Sequence, residues 1–129
     1  MKYVADTIAI VRHLTKSRKM SAKAKEIFRR TDRGEDQIIV SGITLMEILY
    51  LSEKGRIDVD LIDVTKLITD SDNYLVHPVD TSVVLTAQTI EDIPELHDRI
   101  IAATAKLLDV PLITHDEVIS KSKAVITLW

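Results

Sequence analysis

Apolar residues along this chain fall either into short unbroken runs or into stretches spaced three and four apart, the signatures of buried strands and of amphipathic helices. Lys2 to Ala5 predicts a first strand ending at Asp6, and Thr7 opens an apolar helix through Ile8, Ile10, Val11 and Leu14. Ser21 is placed to cap a second helix with the stripe Ala24, Ile27 and Phe28, ended by Gly34. Gln37 to Val40 predicts a second strand, and Ser41-Gly42 leads into a helix from Ile43 to Lys54 closed by Gly55. A fourth helix is expected from Val59 to Thr69, and a third strand from Tyr74 to Val79 that is interrupted or ended near Pro78. Asp80 is placed to cap a fifth helix, Ser82 to Ile90, and Pro94 resets the chain.

The last third is the most strongly patterned. Ile100, Ile101, Ala103, Thr104, Leu107 and Leu108 recur at helical spacing, Pro111 is placed to stop that helix, and Leu112-Ile113-Thr114 reads as a buried strand. A short helix, Glu117 to Lys121, and a final strand, Ala124 to Leu128, complete the pattern. Strands and helices alternate throughout, which predicts a parallel sheet covered by helices on both faces, and 129 residues suit a single domain spanning 1–129.

Composition narrows the function classes. At 46% hydrophobic and 29% charged the chain is a normal globular mix, and 4% aromatic argues against an aromatic platform for stacking nucleic-acid bases. Without cysteine there is no disulfide and no thiolate zinc site, and no apolar run reaches membrane-spanning length without a charge. The expectation is a soluble, cytoplasmic protein. Charge is unevenly placed: Arg12 to Arg33 holds nine basic residues against Glu26 and Asp32, a local +7 in a chain of net −3, so the remainder carries −10. A basic arm beside an acidic site suits a polyanionic partner, although a solvated helical surface produces the same count.

Four acids fall at equivalent places in this scheme. Asp6 follows the first strand, Glu47 lies in the helix after the second, Asp98 opens the long helix, and Asp116 follows the fourth strand. Each is near the carboxyl edge of the expected sheet, where open α/β sheets bind ligands. Glu47 has Ile43, Thr44, Tyr50 and Leu51 as helical neighbours and no basic residue within a turn, so a buried carboxylate there needs a partner from elsewhere. A hard divalent cation, Mg²⁺ or Mn²⁺, is one such partner, and the chemistry such a cluster suits is phosphodiester hydrolysis. Thr7 and Thr114 are spaced to orient a water or a carboxylate around that site. Taken singly, Asp6 and Asp116 also read as helix caps, Asp98 as a complement to its helix dipole, and Glu47 as half of an ion pair. Asp80, Glu91 and Asp92 lie near the same edge. No two of His13, His77, His97 and His115 share a metal-binding helical spacing; His97 and His115 flank the acids.

The segments Val4-Ala5-Asp6-Thr7, Ser41-Gly42-Ile43-Thr44-Leu45-Met46-Glu47-Ile48-Leu49, His97-Asp98-Arg99-Ile100-Ile101-Ala102-Ala103-Thr104-Ala105 and Ile113-Thr114-His115-Asp116 together resemble the PIN domain. The closer resemblance is to the small stand-alone PIN ribonucleases that act as VapC-type toxins of toxin–antitoxin pairs. It implies a three-layer α/β/α fold around a parallel sheet of about five strands, and an Mg²⁺ or Mn²⁺ site on Asp6, Glu47, Asp98 and Asp116. It further implies endonuclease action on RNA, homodimerisation and inhibition by a cognate antitoxin. The departure is at Ile8, where family members often carry a small polar residue. The leading expectation is therefore a metal-dependent endoribonuclease, with Arg12, Lys16, Arg18 and Lys19 contacting RNA or an acidic antitoxin segment. The alternatives are a catalytically inactive binding module of the same fold that keeps the acids, and a phosphate-handling domain with Asp6 as acceptor. The absence of a glycine-rich phosphate loop weighs against the last.

Overall fold

The computed structural model describes residues 1–129 as five strands and seven helices in the order β1 (Lys2–Ala5), α1 (Thr7–Leu14), α2 (Ala22–Asp32), β2 (Gln37–Ser41), α3 (Gly42–Glu53), α4 (Leu61–Thr69), β3 (Tyr74–His77), α5 (Thr81–Gln88), α6 (Leu96–Leu108), β4 (Leu112–Ile113), α7 (Glu117–Ser120) and β5 (Thr127–Leu128). The strands form one sheet in the order β3-β2-β1-β4-β5, every neighbouring pair parallel. Central β1 pairs Val4 with Ile39 on one side and with Leu112 on the other.

Successive strand side chains point to opposite faces, so the apolar runs fill two cores at once. Tyr3, Ala5, Ile38, Val40 and Ile113 pack on Ala9 and Ile10 of α1, Ile27 and Phe28 of α2, Ile48 of α3 and Val64 of α4. Val4, Ile39 and Leu112 pack on Val83 of α5, Ile101 to Ala103 and Ala105 of α6, and Ile119 of α7. This is the expected three-layer α/β/α sandwich. No helix is long and apolar enough to cross a membrane.

Strand β3 stops at His77, ended as expected by Pro78, which has no N–H for the ladder. Several element boundaries depart from the sequence reading, each for a local reason. Helix α4 begins at Leu61 instead of near Val59, set by a capping box in which the Asp60 and Asp63 side chains each accept from the other's backbone N–H. Helix α6 ends before Pro111: Asp109 turns left-handed at φ 53°, with its N–H on Lys106 O and that of Val110 on Ala105 O. Strand β5 is two residues long instead of five, since its only partner, β4, offers two.

Candidate active site

In an all-parallel sheet every strand's carboxyl end lies on one edge, and here the chain order reverses between β1 and β4. A crevice opens outside the strand ends at such a reversal. The crevice is a cavity of about 260 Å³ lined by Asp6, Glu47, Asp98 and Asp116, with Thr7, Ile8, Arg12, Leu51, Ile101 and His115. Four acids from four separate segments thus share one wall.

Each carboxylate is held differently. Asp6 is buried; it caps α1 by accepting from Ala9 N at 2.8 Å and accepts the Thr114 hydroxyl on its other oxygen. Thr114 Oγ1 also accepts from Asp116 N at 3.1 Å, so one threonine ties two of the acids together. Asp116 caps α7 through Ile119 N at 2.9 Å and leaves its second oxygen without a protein donor. Glu47 accepts from Thr7 Oγ1 at 2.6 Å, and Thr7 lies 3.1 Å from Thr44 Oγ1. A hydroxyl carries one proton, so with Thr7 donating to Glu47, Thr44 donates to Thr7. Asp98 has no hydrogen-bond partner on its carboxylate, because Glu95 takes the capping position of α6 and accepts from Asp98 N at 2.6 Å.

The electrostatics follow from this crowding. Burial pushes the Asp6 carboxyl up, against the hydrogen bonds from Thr114 and Ala9 and the nearby Arg12 guanidinium, while Asp116 adds to the rise. Asp98 is pushed up to about 6, by burial first and then by repulsion from Glu95, Asp116, Glu47 and Asp6. The other three lining acids all act on it. The donor set is hard carboxylate oxygen, the chemistry a divalent cation prefers. As they stand, no three His, Asp or Glu side chains are grouped tightly enough to enclose a metal ion unaided.

The structure separates the other candidates. Arg12 lines the cavity, whereas Lys16, Arg18 and Lys19 are exposed and lie outside it. Arg29, Arg30 and Arg33 at the far end of the basic stretch pair with Glu26, Glu35 and Asp36 instead of facing the site. Asp80 caps α5, and Asp92 accepts from Ser122 Oγ and Lys123 N, so neither joins the four acids. His115 lines the cavity, while His97 bonds Glu95 at 2.8 Å. Sequence reasoning missed the roles of Thr44, Glu95 and Trp129. Thr44, three residues before Glu47 on the same helical face, carried a signal, since a hydroxyl there interrupts the apolar stripe. Trp129, the sole tryptophan, stacks on His115 with ring centroids 5.1 Å apart and planes at 16°.

The family model that matches the chain is that of the PIN domain, over residues 3–124. Among solved structures the chain is similar to one in VapBC2 from Rickettsia felis bound to a DNA fragment from its promoter, with a TM-score of 0.72 and 16% identity over 99% of this chain and 98% of that one. It is similar to a chain of DNA-bound VapBC from Salmonella typhimurium, with a TM-score of 0.70 and 18% identity over 99% and 97%. VapBC-1 from nontypeable Haemophilus influenzae gives a TM-score of 0.60 and 23% identity over 99% and 97%. No curated protein sequence matches the chain.

Proposed function

Since the chain belongs to the PIN-domain family, we propose that it is an endonuclease that hydrolyses RNA phosphodiester bonds with Mg²⁺ or Mn²⁺, and that it is the toxin of a toxin–antitoxin pair. One observation carries the reading: four acids from separate segments line one cavity at the reversal point of the sheet, where burial first, and then repulsion from Glu95 and from the other three lining acids, push Asp98 up to about 6. Carboxylates that oppose one another's ionisation in a bare pocket are poised for a cation.

In this reading Asp6, Glu47, Asp98 and Asp116 hold the ion. An ion of the Mg²⁺ type commonly keeps several waters, so the four carboxylates would reach it partly through those waters. When bound, the ion would supply Lewis-acid chemistry, making a water more acidic and offsetting charge on the phosphate. The Thr114 hydroxyl fixes Asp6, and the Thr44–Thr7 chain fixes Glu47, so both carboxylates keep one orientation before any ligand arrives. Arg12 supplies positive charge beside the acids, for RNA phosphates or an acidic antitoxin segment. The other basic residues proposed for such contacts, Lys16, Arg18 and Lys19, are exposed and follow α1 in the chain.

The antitoxin partner is supported by the VapBC neighbours, whose chains share this fold. A homodimer is supported by the exposed apolar Val84, Leu85 and Leu96 on α5 and α6, which line a shallow groove of about 380 Å³. A second reading, an inactive binding module, is favoured by Ile8, an apolar residue 46% exposed on the cavity wall.

Single-turnover cleavage of mixed RNA with Mn²⁺ decides between the two. The nuclease reading expects cleavage by the wild type and a loss on the order of 100-fold or more in Asp98→Asn. RNA bound but left intact by the wild type under all divalent ions tried would leave the binding module.

A further inference from the structure

Arg12 is the only arginine or lysine on the wall of the acid cavity, and it pairs with none of the acids. No salt bridge joins it to a carboxylate, and its Nη1 is buried without a hydrogen-bond partner. It is the only buried side-chain nitrogen or oxygen in the molecule left unpartnered. A guanidinium beside four carboxylates ordinarily closes onto one of them, because that charge-assisted bond is the strongest on offer. A buried N–H with no acceptor carries its full desolvation penalty.

What occupies the guanidinium instead is Trp129. The Arg12 guanidinium carbon sits 5.4 Å from the centroid of the indole ring, within cation–π range. The indole is itself fixed on two sides, packed against the core and stacked on His115. The fold brings the three together: Leu128 pairs with Ile113, so the ends of β5 and β4 deliver Trp129 and His115 to the same edge. Arg12 arrives from α1, one turn beyond Ile8 on the face that lines the cavity.

We propose that Trp129 is a positioning residue that holds the Arg12 guanidinium off the carboxylates, keeping it unpaired on the cavity wall for a non-bridging oxygen of an RNA phosphodiester at the acid site. The proposal rests on the nuclease reading. A polyanion entering this cavity meets four carboxylates, and Arg12 is the fixed charge of opposite sign. Closed onto Asp6 or Asp116, the guanidinium would be lost to the phosphate and would cover an acid as well. An indole attracts the cation through its π face without offering a competing anion, so Arg12 stays near the acids and unpaired.

The test is binding of a fluorescein-labelled single-stranded RNA in EDTA, read by anisotropy across a salt series, with melting recorded for every variant. Arg12→Ala and Trp129→Ala are each expected to weaken binding about tenfold and to lower the salt slope by about one. Both remove the same contact, so the double variant should bind no more weakly than either single one. Trp129→Phe keeps a π face and retains most of the affinity; Trp129→Leu keeps apolar bulk without the face and behaves as Trp129→Ala, which guards against a simple folding defect. As the only tryptophan, Trp129 also reports directly: saturating RNA changes its emission in the wild type and not in Arg12→Ala.

Wild-type affinity in both Trp129→Ala and Trp129→Leu, multiplicative losses in the double variant, or no RNA binding by the wild type overturns the proposal. So does unchanged RNA binding in Arg12→Ala combined with weakened binding of polyglutamate, which would assign the unpaired guanidinium to a protein carboxylate. Failure of the nuclease reading looks different: the binding pattern holds, but Mn²⁺ elicits no cleavage by the wild type.

Discussion

Replacing Asp98 by asparagine should make the metal-free protein more stable near neutral pH. Asp98 is unpartnered and faces Glu95, Asp116, Glu47 and Asp6, and its carboxyl is raised from 3.8 to about 6 in the folded chain. A carboxyl with a raised folded pKa binds more protons in the native than in the unfolded state between those two values, so its ionisation erodes stability as pH rises through that window. The penalty is absent well below 3.8, grows between 3.8 and about 6, and is complete above it. Roughly two pH units correspond to about 3 kcal/mol, which water at the open mouth of the cavity reduces to about 1–2 kcal/mol. Asparagine also forgoes a favourable negative charge in the first turn of α6, worth about 0.3–1 kcal/mol. The net gain is about 1 kcal/mol, or roughly 3–5 °C in a domain of this size. Thermal melting in EDTA at about pH 7.5 and about pH 4 is the assay, with the gain expected at the first and nearly gone at the second. A mutant melting below wild type at neutral pH, or a difference that ignores pH, would refute the reasoning and leave Asp98 as a helix-dipole residue.

Mn²⁺ at about 100 times its dissociation constant should stabilise the wild type by roughly 2.7 kcal/mol, and most of that rise should vanish in Asp98→Asn; calorimetric titration of the ion provides an independent check. Thr114→Val strips hydrogen bonds from both the buried Asp6 carboxylate and Asp116 N, so urea unfolding should show a loss of about 2–3 kcal/mol. A loss under about 0.5 kcal/mol would mean that water replaces the hydroxyl. Gly34→Ala places a Cβ at φ 83° and 3.3 Å from Asn73 Nδ2, where the chain leaves α2, and should cost about 1 kcal/mol or more in the same assay. Ile8→Ser, at a side chain 46% exposed, should leave the unfolding free energy within about 0.5 kcal/mol of wild type while making the cavity wall more polar, and RNA cleavage should rise.

Local chemistry explains why so much of the fold was readable before folding. Strands buried on both faces must be apolar throughout, so Tyr3 to Ala5 and Ile38 to Val40 stand out as runs whatever surrounds them. Residues that leave a strand and open a helix must be small and polar, which marks Asp6, Ser41 and Asp116 by their spacing alone. These caps and the candidate acids are partly the same residues: one Asp6 oxygen and one Asp116 oxygen bond helix N–H groups at 2.8 and 2.9 Å. The structural and the chemical readings of those acids are therefore compatible. Parallel topology did the rest, since it sends every strand's carboxyl end to one edge.

What the sequence could not carry is anything that depends on which elements become neighbours. Lys16, Arg18 and Lys19 are as basic as Arg12, yet only Arg12 lies on the face of α1 that turns into the cavity. The rise of Asp98 comes first from burial and then from acids, of which Glu95 is local but Asp116, Glu47 and Asp6 lie up to 92 positions away along the chain, and no local pattern encodes the burial or that distant repulsion. Trp129 and Arg12 meet because β5 pairs with β4 on the far side of β1, a choice of strand order made by packing both faces of the sheet at once. The alternation of elements and the acids at their ends are legible along the chain because capping and strand burial are local requirements. Tertiary structure alone decided which charges stand together and which cation stays free among them, because Coulomb repulsion, desolvation and ring stacking act between segments the chain keeps far apart.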